Sequence, residues 1–167
     1  KVLFRTVDGH PVEAVLMRYR DGRRSICVSS QSGCPLTCTF CATGQMAFGR
    51  NLTTSEIVDQ ALHFRRIEPV DHAVFMGMGE PMLNVDRVLA AADALTDQAR
   101  FGLGARHVTI STSGVLPGIE WSLDDVTWAT YERATGQSLG AKGPDRFARR
   151  GDAVTGEQFR KQPHHDF

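Results

Sequence analysis

An α/β fold is predicted for this chain, with a β-hairpin leading into parallel strands that alternate with helices, and three observations carry the prediction. Two runs rich in branched and aromatic residues, 2–7 and 12–19, are separated by Asp8-Gly9-His10-Pro11, a turn signal that makes them a hairpin. Beyond residue 51 the order reads helix, strand, helix, strand, and a further apolar stretch at 25–30 precedes it. By the right-handed crossover rule that order gives a parallel sheet with helices on its outside. The length of 167 residues allows one domain with a real core but is short for a full barrel.

The elements follow in order. The stretch 25–30 comes after the polar turn Arg20-Asp21-Gly22-Arg23, and from 31 to 51 no period is present, so that segment is expected to be a long functional loop. Thr53-Thr54-Ser55-Glu56 is a capping box, in which the Thr53 hydroxyl accepts from the Glu56 amide while the Glu56 carboxylate reaches back. A helix starts there, with Ile57, Val58, Ala61, Leu62 and Phe64 on one face and Pro69 closing it off. Residues 72–76 form a short buried-type strand that runs into Gly77-Met78-Gly79-Glu80-Pro81. Asn84 is placed to cap a second helix, whose face is Val88, Leu89, Ala92 and Leu95, and a last strand spans 107–111. From 120 to 167 the only Leu, Ile, Val or Met residues are Leu123, Val126, Leu139 and Val154. That is too little apolar surface to offset about 1–2 kcal/mol of backbone entropy per residue. Trp121, Trp128 and Tyr131 are expected to dock at most one short helix, with poor order beyond Gly136.

Charge excludes little. Lys plus Arg and Asp plus Glu both number 19, and an excess of four basic residues appears only locally, between Lys1 and Arg66. This is a mild sign of an anionic partner, and a solvated surface explains it as well. No apolar run approaches the roughly 20 residues a membrane span needs, so a cytoplasmic protein without a membrane partner is expected.

All four cysteines, Cys27, Cys34, Cys38 and Cys41, fall within fifteen consecutive residues. A disulfide framework staples distant segments, so this crowding points to a metal or redox site. Cys34, Cys38 and Cys41 have gaps of three and two residues, and three thiolates in one tight loop can hold three corners of a cubane cluster while leaving the fourth iron open. Zinc is the alternative; it normally takes four protein ligands, and no fourth is obvious here.

With Phe40 just before Cys41, the loop resembles the signature of the radical S-adenosylmethionine superfamily. The segments 26–34, Arg50-Asn51-Leu52-Thr53, 76–81 and 108–114 resemble consecutive blocks of one family within it, together covering residues 12 to about 119. That family methylates C2 of an adenine in large-subunit ribosomal RNA and, in bacteria, often a tRNA adenine. The resemblance implies part of a radical-SAM (βα) partial barrel, a [4Fe–4S] cluster, S-adenosyl-L-methionine, ribosomal RNA and tRNA as substrates, and an external electron donor such as flavodoxin. It implies Cys34, Cys38 and Cys41 as cluster ligands, and Gly79, Glu80 and Ser111 as cofactor-binding positions. Cys27 matches the cysteine that helps release the methylated adenine from a protein–RNA adduct, where position alone would make it an inert strand residue. Glu13 matches a proton acceptor, with a surface strand glutamate as the plainer reading.

In the family a first cofactor molecule methylates a cysteine near the carboxyl end. No cysteine follows Cys41 here, and residues 120–167 resemble nothing in the family. A shortened, frame-shifted or decayed copy without turnover is therefore expected, divided into a hairpin extension (1–24), a partial radical SAM core (25–119) and an unrelated tail (120–167). The rival readings are a sister enzyme acting on C8 of the same adenine, another radical enzyme such as a glycyl-radical activase, and a non-catalytic metal-binding remnant.

Overall fold

The structure is a computed structural model, and it describes residues 1–115. The segment 120–167, with Trp121, Trp128 and Tyr131, lies outside the described residues.

Strands β1 (Val2–Arg5) and β2 (Pro11–Arg18) form the expected hairpin, in register Val2 opposite Ala14. Its turn is closed by Thr6, whose hydroxyl accepts from the His10 amide at 2.8 Å, and by Gly9 at φ +89°, where a side chain would be strained. β2 pairs antiparallel with β3 (Arg24–Cys27), placing Val15 opposite Cys27. β3 then pairs parallel with β6 (His72–Phe75), and β6 parallel with β7 (Val108–Ile110), giving the five-stranded order β1-β2-β3-β6-β7.

The two crossovers carry α1 (Thr54–Arg65) and α2 (Val85–Thr96). Val12, Ala14, Ile26, Ala73 and Phe75 from the strands join Ile57, Ala61 and Phe64 of α1 and Val88, Ala91 and Leu95 of α2 in one buried cluster. Because side chains alternate across a strand, the helices cover this face, and among the described residues neither α1 nor α2 covers the other. The expected α/β fold and the capping box are both present: Thr53 Oγ1 accepts from the Glu56 amide, and Glu56 accepts from the Thr53 amide at 2.9 Å. Among the described residues no helix is long and apolar enough to cross a membrane.

Two local expectations are corrected. Residues 31–51 are not all loop, because β4 (Gln31–Ser32) pairs antiparallel with β5 (Arg50–Asn51) and draws the two ends of the segment together. Asn84 occupies the position before α2 but its side chain makes no capping bond. Its amide donates instead to the Ser30 and Leu52 carbonyls at 2.8 and 2.9 Å, tying the two buried segments to the start of α2.

Candidate functional site

Parallel sheets offer ligands the carboxyl ends of their strands. Here β3, β6 and β7 end in residues 28–33, 76–81 and 111–114, and the cysteine loop rises from the first of these.

The loop owes its shape to close backbone packing. Gly44 is buried in it, and a Cβ there would lie 2.9 Å from both the nitrogen and the oxygen of Cys38 and 3.0 Å from the Leu36 oxygen. Only glycine fits without moving the backbone. The Cys41 amide donates to the Cys38 carbonyl at 3.1 Å, folding these two cysteines onto one turn. Cys34, Cys38 and Cys41 are all free and partly exposed, while Phe40 points outward, 92 % exposed. Burial raises the pKa of the Cys34 thiol, helped by the negative charge of Cys38, Cys41 and Glu80 and opposed by a backbone hydrogen bond at Leu36. Negative charge from Cys38 and Cys41 thus bears on the Cys34 sulfur.

That repulsion is the physical condition a cationic centre relieves. Among the described residues no three His, Cys, Asp or Glu side chains are grouped as a site for a metal ion. A single zinc normally takes four protein ligands, whereas three thiolates on one loop can hold three corners of a cubane. The donor set fits an iron–sulfur cluster better than a single ion.

Glu80 lies across from the loop, only 4 % exposed. Its carboxylate accepts from the Met82 amide, the Ser113 amide and the Ser113 hydroxyl, each at 2.9 Å, and from the Thr112 hydroxyl at 2.5 Å. Burial pushes its pKa up, but the hydrogen bonds from Ser113 and Thr112 outweigh that and hold it below the ordinary carboxylate range. Glu80 thus ties the β6 turn to the end of β7. Thr112 and Ser113 were not singled out in the sequence, where nothing indicates that they face residue 80. Gly79 has φ +96°, and a Cβ on it would lie 2.5 Å from that of Gln31. Ser111 follows β7 directly and is exposed.

Cys27 and Glu13 share the face that neither helix covers. Val15 is the register partner of Cys27, and Glu13 lies two residues along the same strand, so the two side chains are diagonal neighbours. Burial raises the Cys27 pKa, opposed by a backbone hydrogen bond at Met76. Glu13 is more open and pairs with Lys1 at 2.7 Å.

Three thiols on a loop at the carboxyl edge of the parallel strands β3, β6 and β7 are the donor set of one class, the iron–sulfur proteins. Comparison with known proteins makes the assignment specific. The description of the radical SAM superfamily matches residues 28–126, and the chain belongs to that family. The family implies a [4Fe–4S] cluster and S-adenosylmethionine.

The dual-specificity RNA methyltransferase RlmN 1 of Myxococcus xanthus is 46% identical over 130 residues, 75% of this chain and 36% of its own. The ribosomal RNA large subunit methyltransferase N of Nitrosopumilus maritimus is 50% identical, over 72% of this chain and 37% of its own. The ribosomal RNA large subunit methyltransferase Cfr of Clostridium botulinum is 48% identical, over 72% and 35%. A radical SAM methyltransferase from Sphaerobacter thermophilus, known from its crystal structure, superposes with a TM-score of 0.67 at 41% identity, covering 74% of this chain and 38% of that one. The chain spans about a third of the length of the curated relatives it matches.

Proposed function

We propose that this chain is the cluster- and cofactor-binding part of a radical SAM methyltransferase acting on an adenine of large-subunit ribosomal RNA, at C2, and on a tRNA adenine. The observation that carries the reading is three free thiols on one loop at the carboxyl edge of the parallel strands, the same edge where the buried Glu80 carboxylate lies. It divides into a hairpin extension, 1–24, and a partial radical SAM core, 25–119; the proposed third unit, 120–167, lies outside the described residues.

In this reading Cys34, Cys38 and Cys41 hold the cluster, which supplies the electron that cleaves S-adenosylmethionine. Gly79, Glu80 and Ser111 bind the cofactor: glycine lets the backbone approach closely, and a carboxylate suits an ammonium group. The bonds from Thr112 and Ser113 hold the Glu80 carboxylate in one orientation, so no reorganisation is needed when the cofactor arrives. Cys27 keeps its proton at neutral pH, because burial raises its pKa. It therefore needs a base before it can act as a nucleophile, and Glu13 is the proton acceptor on its face of the sheet. The work belongs in the cytoplasm, where thiols stay reduced and an electron donor of the flavodoxin kind is at hand.

The test is anaerobic reconstitution with iron and sulfide. Replacing Cys34, Cys38 or Cys41 by Ala should abolish the brown absorbance and the bound sulfide, and Cys27→Ala should leave both. Loss of the cluster in Cys27→Ala, or zinc without sulfide in the wild type, would overturn the assignment.

A further inference from the structure

Beneath the site lies a set of buried amides that the family resemblance does not assign. Gln31 is fully buried, at 0 % exposure. Its Oε1 accepts from the Glu80 amide at 2.8 Å, and its Nε2 donates to Asn51 Oδ1 at 2.7 Å. Asn51 in turn donates from Nδ2 to the Leu83 carbonyl at 3.0 Å. Gln31 opens the cysteine segment in β4, Asn51 closes it in β5, and the two are register partners. One side chain therefore meets both ends of the loop and the turn that carries Glu80. The contact is tight on the far side as well: a Cβ on Gly79 would stand 2.5 Å from Gln31 Cβ and 2.7 Å from Cγ.

We propose that Gln31 is a positioning residue, whose amide fixes the cysteine loop against the 77–81 turn and so sets how the cofactor meets the cluster. The inference rests on the site reading above. Only an amide satisfies both contacts, because the Glu80 amide needs an acceptor and Asn51 Oδ1 needs a donor. A carboxylate supplies the first alone, and a thioether of similar length supplies neither in useful strength. Gln31 is three residues before Cys34 and one hydrogen bond from residue 80. When the bond is lost, residue 80 at the far end of the turn can shift, while backbone contacts still hold the start of the turn at Met78 to the loop. Those contacts are independent of the side chain: the amides of Ser30 and Gln31 donate to the Met78 carbonyl at 2.9 and 3.2 Å. Loop formation and cofactor alignment are therefore separable by substitution.

The experiment uses the whole 167-residue chain, reconstituted without oxygen, as wild type, Gln31→Met and Gln31→Glu. Far-ultraviolet circular dichroism reports the fold, and iron and sulfide content report the cluster. The electron paramagnetic resonance of the reduced cluster is titrated with S-adenosylmethionine. Fold, metal content and the cofactor-free spectrum are expected to match wild type in both variants. The cofactor-induced spectral change is expected to need roughly tenfold more S-adenosylmethionine in Gln31→Met, the scale of one lost buried hydrogen bond, and less extra in Gln31→Glu. An unchanged titration in Gln31→Met overturns the proposal. So does loss of fold or cluster in both variants, since Gln31 would then serve the loop itself. If the wild type takes up a cluster yet shows no cofactor-dependent change, the site reading fails and the inference falls with it.

Discussion

Glu56→Gln isolates one ion pair, because glutamine can still serve the capping box while losing the charge. Arg50 bonds Glu56 through Nη1 and Nη2 at 2.8 and 2.7 Å, and Asp8 through Nε and Nη2 at 2.6 and 2.7 Å. This joins the hairpin turn, the end of the cysteine segment and the start of α1. The Arg50 guanidinium, opposed by burial and helped by the Thr53 amide, lowers the Glu56 pKa from 4.5 to about 2. A carboxylate with a depressed pKa stabilises the fold above its unfolded value, and that contribution is lost as pH falls toward the folded value. The displacement corresponds to roughly 3 kcal/mol at neutral pH, as an upper bound. The side chains of Arg50 and Glu56 are 29 % and 25 % exposed, so solvent screening reduces it. A loss of about 1–3 kcal/mol at pH 7 is expected for Glu56→Gln, shrinking to less than half of that by pH 3. Urea unfolding of the unreconstituted chain, followed by circular dichroism at pH 7, 5 and 3, measures it. A difference that is the same at pH 3 as at pH 7, or below about 0.3 kcal/mol throughout, would refute the reasoning.

Gly44→Ala should keep the fold but lose most of its cluster on reconstitution, because the added carbon meets Cys38 and Leu36 backbone that cannot rotate away; wild-type iron content would contradict this. Calorimetry with S-adenosylmethionine should show a cluster-dependent signal that Glu80→Ala weakens roughly tenfold, and equal binding to cluster-free protein would count against the pocket. The chain has four cysteines, three of them the proposed ligands, while the chemistry implied by the resemblance needs two further thiols. Incubated with reductant, cofactor and unmodified ribosomal RNA, the 167-residue chain is therefore expected to give no 2-methyladenosine by mass spectrometry; more than a trace would show that one such thiol suffices.

The parts legible in the sequence are those governed by local rules. The hairpin turn at residues 8–11, the capping box at Thr53 and the parallel order of β3, β6 and β7 follow from turn chemistry, capping and periodicity. β4 and β5 have two residues each, too few to show any period, and they exist because the segment's ends must lie together. Asn84 was misread because a cap signal is local, while its amide answers buried carbonyls at residues 30 and 52. Gln60 is a polar residue on the buried face of α1, where periodicity expects an apolar one. It accepts from the Ser29 amide at 2.8 Å and donates to the Ser29 carbonyl at 3.0 Å, satisfying a strand end that has left the ladder. The spacing of the cysteines points to a metal site without any fold, but the partners of Glu80 have no such signal, since residues 112 and 113 meet it only through the fold.

The two faces of the sheet divide the labour. α1 and α2 close one face with apolar contacts, and neither helix covers the other. Register places Val15, Cys27, Val74 and Thr109 in one row across that other face, because paired residues share a side. Glu13 lies beside the row, two residues from Val15 on β2, and Ser111 lies beside it too, two residues on from Thr109 and just past β7. The same alternation that sends Ile26 into the core therefore turns Cys27 toward the opposite face. A one-residue slip of β3 would bury the thiol among the helices and expose Ile26. The hydrophobic pattern forbids this slip, since burying Ile26 and Val28 leaves Cys27 no other side to face.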